Sequence, residues 1–250
     1  MSRTKLVVGN WKMNGLGANL PEIERIGVDA ASSPAVEAGL CVPATLISMA
    51  DQAKGSLFIG AQDCHQKISG AHTGCLSAAM IKEAGASWVI VGHSERRTDQ
   101  HESDAEVAAK ALAAKAESLK VILCIGESLE IRDSGNAVSF VLEQLAASLP
   151  DGAAADWLSI AYEPVWCIGT GRIPTMDQVA EMHDAIRTLL VEKCGAVEGN
   201  GMRVLYGGSV NAANAAEVFA VSNVDGGLVG GASLKADSFV PIIEAAAALS

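Results

Sequence analysis

Short apolar runs rich in β-branched residues punctuate the chain at residues 5–10, 40–43, 57–61, 88–91, 121–125, 158–162, 203–206 and 227–229. Between them lie longer, alanine-rich stretches whose apolar residues recur every three or four positions, at 21–31, 76–84, 103–119, 137–149, 176–193, 213–221 and 239–249. A run that is apolar at nearly every position has no polar face to offer water. It predicts a strand buried on both sides, and the alternation with helices predicts a parallel sheet covered by them. Ser103 followed by Glu106 is a capping box that opens one helix, and Pro174-Thr175 precedes the start of another. Eight strands alternating with helices, without a linker or a break in composition, predict an α/β fold. The expectation is a single (β/α)8 barrel domain over residues 1–250 with a parallel eight-stranded core. The competing architecture is an open doubly wound sheet; its Gly-x-Gly-x-x-Gly turn is absent, and so is a Gly-Lys phosphate loop.

A length of 250 residues suits such a barrel. Half of the residues are apolar, yet no run is long enough to span a bilayer. The opening Met-Ser-Arg-Thr-Lys leads straight into a short apolar segment, without the longer apolar region and cleavage site of a signal peptide, which predicts a cytoplasmic protein. A net charge of −11 without any basic cluster argues against nucleic acid and anionic membranes as partners. It also means that an anionic substrate must be held by local positive groups against the overall field. The six cysteines are scattered and read as reduced thiols. Cys64-His65 is the only adjacent Cys/His pair, so neither a metal nor a cofactor is expected.

In a barrel of this class the carboxyl ends of all strands open on one face, and chemistry is built there. Glu163 ends the run 158–162, where a carboxylate is paired, neutralised or catalytic. Pro164 forces Glu163 into an extended conformation, and Gly169-Thr170-Gly171 follows closely. A positioned base before a lid of bare backbone N–H groups fits this stretch; so does a structural turn around an ion-paired glutamate. After the first strand come Asn10 and Lys12, the latter either a surface lysine or a fixed charge at the mouth. After the fourth come His93 and Glu95. If a helical turn begins there, its positive end favours a neutral imidazole at His93, still able to donate to a substrate oxygen. His65, His72, His101 and His183 lack such a setting and read as surface groups. Gly207-Gly208-Ser209 and Gly230-Gly231 follow the last two strands, where backbone approaches an anion closely, so the substrate is expected to carry a phosphate.

Ala161-Tyr-Glu-Pro-Val-Trp-Cys-Ile-Gly-Thr-Gly171 resembles the catalytic strand and flexible loop of triosephosphate isomerase, and the likeness extends in order over nearly the whole chain. Residues 9–15, 92–97, 124–127, 206–210 and 228–235 are similar to that family's remaining motifs. The resemblance implies interconversion of dihydroxyacetone phosphate and D-glyceraldehyde 3-phosphate, a step of glycolysis and gluconeogenesis, without cofactor or metal. It implies Glu163 as the base, His93 as the electrophile, and Asn10 and Lys12 as the rest of the oxyanion site. Gly169, Ser209, Gly230 and Gly231 would bind phosphate, with Glu95 and Cys124 in support. It further implies a homodimer in which the loop from Gln62 to Cys75 reaches the partner through Thr73. The chain departs from the family at Asp63 (usually Asn), His72 (usually aromatic), Cys75 (usually acidic), Cys167 (usually Ala), Ile131 (commonly Glu) and the hinge Ile173-Pro174. Two rival readings are another phosphosugar isomerase or lyase on the same barrel, and a non-catalytic phosphate binder derived from the enzyme.

Overall fold

The computed structural model describes residues 3–167 and 173–249. Eight strands, Lys5–Asn10 (β1), Val36–Cys41 (β2), Phe58–Ala61 (β3), Trp88–Val91 (β4), Lys120–Ile125 (β5), Leu158–Tyr162 (β6), Arg203–Tyr206 (β7) and Gly226–Val229 (β8), pair in parallel in chain order. The β1–β8 pairing, with Leu6 opposite Gly226 and Gly9 opposite Val229, closes the barrel. Around it run Leu20–Ala30 (α1), Ile47–Ala53 (α2), Ala78–Glu83 (α3), Ser94–Asp99 (α4), Asp104–Ala116 (α5), Leu129–Asp133 (α6), Ala137–Ser148 (α7), Met176–Gly201 (α8), Ala215–Ala220 (α9) and Ala236–Ala247 (α10).

The strand runs divide by the period of two that a strand imposes. Leu6, Val8, Trp88, Ile90, Ile122, Cys124, Ala161 and Leu205 pack with one another inside the barrel. Their neighbours Val7, Val89, Val91, Val121, Leu123 and Ile160 pack outward against the helices. Both faces are therefore dry, which is why no polar alternation is visible in the sequence.

At the amino-terminal mouth the Trp88 ring stacks on Phe58 at 4.9 Å. The Lys120 ammonium and the Arg203 guanidinium lie over the same ring, 5.0 and 5.3 Å from its centroid. Glu37 binds both cations, at 2.6 Å to Arg203 and 3.2 Å to Lys120. This explains why β2 begins at Val36, four residues before the expected start. Glu37 reads as a strand breaker until its partners from β5 and β7 are in place. The short helices α2 and α6 were not expected either, since seven and five residues are too few to display a helical period. Within α8 the expected end near residue 193 falls beside Gly195, whose backbone is non-helical (φ 82°).

His183 is fully buried in α8, not at the surface as its sequence setting suggested. It sits edge-on to Tyr162, 5.9 Å between centroids, and its Nδ1 lies 3.1 Å from the Asn223 carbonyl. Burial pulls its pKa down to about 4, so the ring stays neutral. Nearby, Arg187 is buried with its guanidinium on Asp225 at 2.8 Å, and Asp225 also binds Arg3 at 2.7 Å and the Val204 N–H at 2.9 Å. Asp225→Ala is expected to lower unfolding stability by about 3–5 kcal/mol, because a buried guanidinium loses its counter-charge. A urea melt checks this, and an unchanged midpoint would mean that solvent reaches Arg187.

Candidate active site

Asn10 is the last residue of β1, and its Oδ1 accepts the Lys12 N–H at 3.0 Å. Gln62, just past β3, donates to the Lys12 carbonyl at 2.8 Å. These two bonds hold Lys12 in the left-handed region (φ 52°), a costly conformation for a residue with a Cβ. The chain is thereby bent so that the ammonium enters the mouth, where it meets Glu95 at 2.5 Å. The Lys12 side chain is thus about a quarter exposed, at the mouth rather than on the outer surface.

A helical turn does begin after His93: it is α4, with His93 at its N-cap. The His93 Nδ1 accepts the Glu95 N–H at 3.3 Å, which leaves the ring's proton on Nε2. Nε2 lies 2.9 Å from Oε1 of Glu163, and Oε2 of Glu163 accepts the Ser94 N–H at 3.0 Å. Glu163 is buried at the end of β6, as expected of a carboxylate after a dry strand. Burial pushes its pKa up; the His93 ring, the Ser94 N–H and Lys12 outweigh that and hold it below the usual carboxylate range. Burial pulls His93 down, and the Glu163 charge more than restores it, so the ring stands above its ordinary value. This runs against the neutral ring expected from the helix end: a carboxylate in contact acts more strongly than the partial charge of a six-residue helix. The ring returns toward neutrality when the carboxylate leaves Nε2.

A cavity of about 350 Å³ is lined by Asn10, Lys12, His93, Glu163, Ser209, Gly230 and Gly231. Seven of the predicted site residues thus meet around one space. Glu95 lines an adjoining cavity of about 400 Å³ together with Lys12 and His93. Gly169 and the expected lid lie outside the described residues. The Ser209 hydroxyl donates to the Cys167 carbonyl at 2.9 Å, and Cys124 inside the barrel has its thiol pushed well up by burial and by the adjacent Glu163.

Two residues were missed as contributors. Gln62 was read only as the start of a loop, yet it orders Asn10 and Lys12. Glu127 is fully buried and accepts the Tyr162 hydroxyl at 3.0 Å and the Trp166 indole N–H at 2.9 Å. Its carbonyl accepts the Val165 N–H at 3.1 Å, so it anchors the chain on leaving β6. The only sequence signal was a carboxylate after a strand, the same signal that found Glu163. Gly126, beside it, has no room for a side chain: a Cβ would lie 1.8 Å from the Glu163 carbonyl oxygen. Gly126→Ala is expected to lower kcat about 10²-fold, since displacements on the order of 1 Å at a reacting group cost that much. Steady-state kinetics check it; normal turnover would mean that the rim yields to the methyl group.

A closed parallel barrel with an ionisable cavity at the carboxyl ends of its strands defines the class: a (β/α)8 enzyme. The family model for triosephosphate isomerase matches residues 5–246. The triosephosphate isomerase of a Ruegeria species is 57% identical over 244 residues, covering 98% of each chain. That of Hyphomonas neptunium is 54% identical over 250 residues, covering 99% of this chain and all of its own. The crystal structure of triosephosphate isomerase from Bartonella henselae superposes with a TM-score of 0.91 at 46% identity, covering 97% of this chain and 98% of that one. The chain belongs to the triosephosphate isomerase family. Among the described residues no helix is long and apolar enough to cross a membrane.

Proposed function

We propose a division of labour at this site for the reaction the chain catalyses, the interconversion of dihydroxyacetone phosphate and D-glyceraldehyde 3-phosphate through an enediolate. Glu163 takes the proton from one substrate carbon and returns it to the neighbouring one. His93, through Nε2–H, and Lys12 and Asn10 stabilise the negative charge that develops on the substrate oxygens. Glu95 holds the Lys12 ammonium until substrate replaces it. Ser209, Gly230 and Gly231, joined by Gly169, hold the phosphate. The observation that carries this reading is the 2.9 Å contact between Glu163 and His93, with Lys12 on the same cavity. Substrate entering between them separates the carboxylate from the ring, which frees the base and leaves the ring a neutral donor.

The whole chain works as one barrel domain, and we place it in the cytoplasm. It acts as a homodimer whose contact face includes the loop from Gln62 to Cys75. Support comes from large apolar side chains left in water on that side: Met13 is 97% exposed and Ile68 75%, far above what a monomer's surface needs. A coupled assay with D-glyceraldehyde 3-phosphate, run without added cofactor or metal, tests the reading. Turnover to dihydroxyacetone phosphate is expected; phosphate-analogue binding without turnover would leave a non-catalytic binder.

A further inference from the structure

The loop from Gln62 to Cys75 carries two imidazoles in contact. The rings of His65 and His72 lie 4.2 Å apart between centroids with 32° between their planes. His65 belongs to the loop's stem: its N–H donates to the Leu76 carbonyl at 2.7 Å, and it bridges to Ser77. His72 belongs to the tip, which turns through Gly70 (φ 134°) and Gly74 (φ 91°). The tilted ring contact therefore links tip to stem across the loop.

We infer that this imidazole pair is an acid-sensitive latch: neutral, it holds the tip in the shape that the subunit interface needs, and protonation at His72 opens it and loosens the dimer. The inference rests on the homodimer reading above.

Among the described residues, the cleft around the pair offers no counter-charge. The small cleft around the pair is lined by Lys67 and Cys75 from the loop, with Ser77 and Met80 from the start of α3, and no carboxylate. The Lys67 N–H already occupies Nδ1 of His65 at 3.1 Å, leaving that ring one free nitrogen. The acids that share a cavity with His65, Asp63 and Glu95, are already ion-paired, Glu95 with Lys12 at 2.5 Å. Lys110 lies 2.8 Å from Asp63 and 2.6 Å from Glu102, and Arg96 lies 3.0 Å from Asp63. Both carboxylates on that cavity are thus engaged by cations. Two adjacent rings cannot both charge without repulsion. Desolvation, His65 and Lys67 accordingly lower the pKa of His72 below its ordinary 6.5. A base with a depressed pKa binds fewer protons in the ordered state. Its contribution is complete above 6.5 and is lost as pH falls below that value.

Sedimentation equilibrium of the intact enzyme between pH 7.5 and pH 5.5, beside His72→Phe, tests the latch. Phenylalanine keeps a stacking ring without the charge. The wild-type dissociation constant is expected to rise at least about tenfold on acidification, and that of the variant to change less than about threefold. A flat wild-type profile, or the same rise in the variant, overturns the proposal. A chain that is monomeric at every pH overturns the dimer reading instead. Hydrogen exchange of residues 65–77, corrected for intrinsic rates, then decides the latch separately. Opening at pH 5.5 in the wild type and not in His72→Phe is the expected result, and equal protection at both pH values overturns it.

Discussion

Glu163→Asp lowers kcat by about two to three orders of magnitude while a phosphate analogue still binds with near-normal affinity. The expectation follows from where the carboxylate stands. Its two oxygens are fixed by the His93 ring and by the Ser94 N–H, so the native length places the base at the wall of the cavity. Removing one methylene withdraws it by roughly 1 Å or more, a displacement of a reacting group that costs about 10²-fold. Glu163→Gln removes the base outright, and general-base catalysis accounts for about 10²–10⁴-fold. The proposed phosphate contacts, at Ser209 and Gly230, are made by other residues of the cavity and do not involve this carboxylate. Steady-state kinetics together with the inhibition constant of a phosphate analogue separate the two effects. If analogue binding falls as far as kcat, Glu163 is a structural residue and the proposed roles fail.

Lys12→Ala raises KM by about two to three orders of magnitude and lowers kcat as well. Lys12 is the one lysine on the cavity, and the protein's −11 charge works against any anion that approaches it. At an effective dielectric constant near 20, a unit charge at 4 Å is worth roughly 4 kcal/mol, and each 1.4 kcal/mol is tenfold. Part of that interaction is spent displacing Glu95 from the ammonium, which keeps the loss below the full Coulomb value. In the proposed division of labour the same cation faces the oxygen on which charge develops, so turnover is expected to suffer with affinity. Initial-rate measurements across substrate concentration check this, and near-normal kinetics would return Lys12 to the category of surface residues.

The barrel was legible because its strands are dry on both faces. Trp88–Val91, Leu158–Tyr162 and Arg203–Tyr206 begin and end where the apolar runs do. Glu163, His93, Asn10 and Lys12 were legible for a related reason: each lies at the end of such a run or within two residues of it, and in a parallel barrel every strand's carboxyl end faces the same way. What stayed hidden depends on partners distant in sequence. Glu37 in β2 needs Arg203, 166 positions away, before it can sit in a strand. His183 looked like one more polar residue of an amphipathic helix until Tyr162 and Tyr206 enclosed it. Glu127 and Gln62 had the right position and lacked the partner that would have given them meaning. The proton affinity of His93 followed the same rule: the local helix predicted one direction, and a carboxylate 70 positions along the chain decided the other.

The seam between β1 and β8 is the joint through which the two ends of the polypeptide complete one ring. Lys12 leaves the first strand and Gly230 the last, so neither stands opposite its counterparts while that joint is open. Partially assembled chains, however much helix they contain, have the working parts and no workplace. During refolding from denaturant, recovery of catalysis is therefore tied to the slowest, most sequence-distant pairing in the molecule, and it trails the return of helical signal.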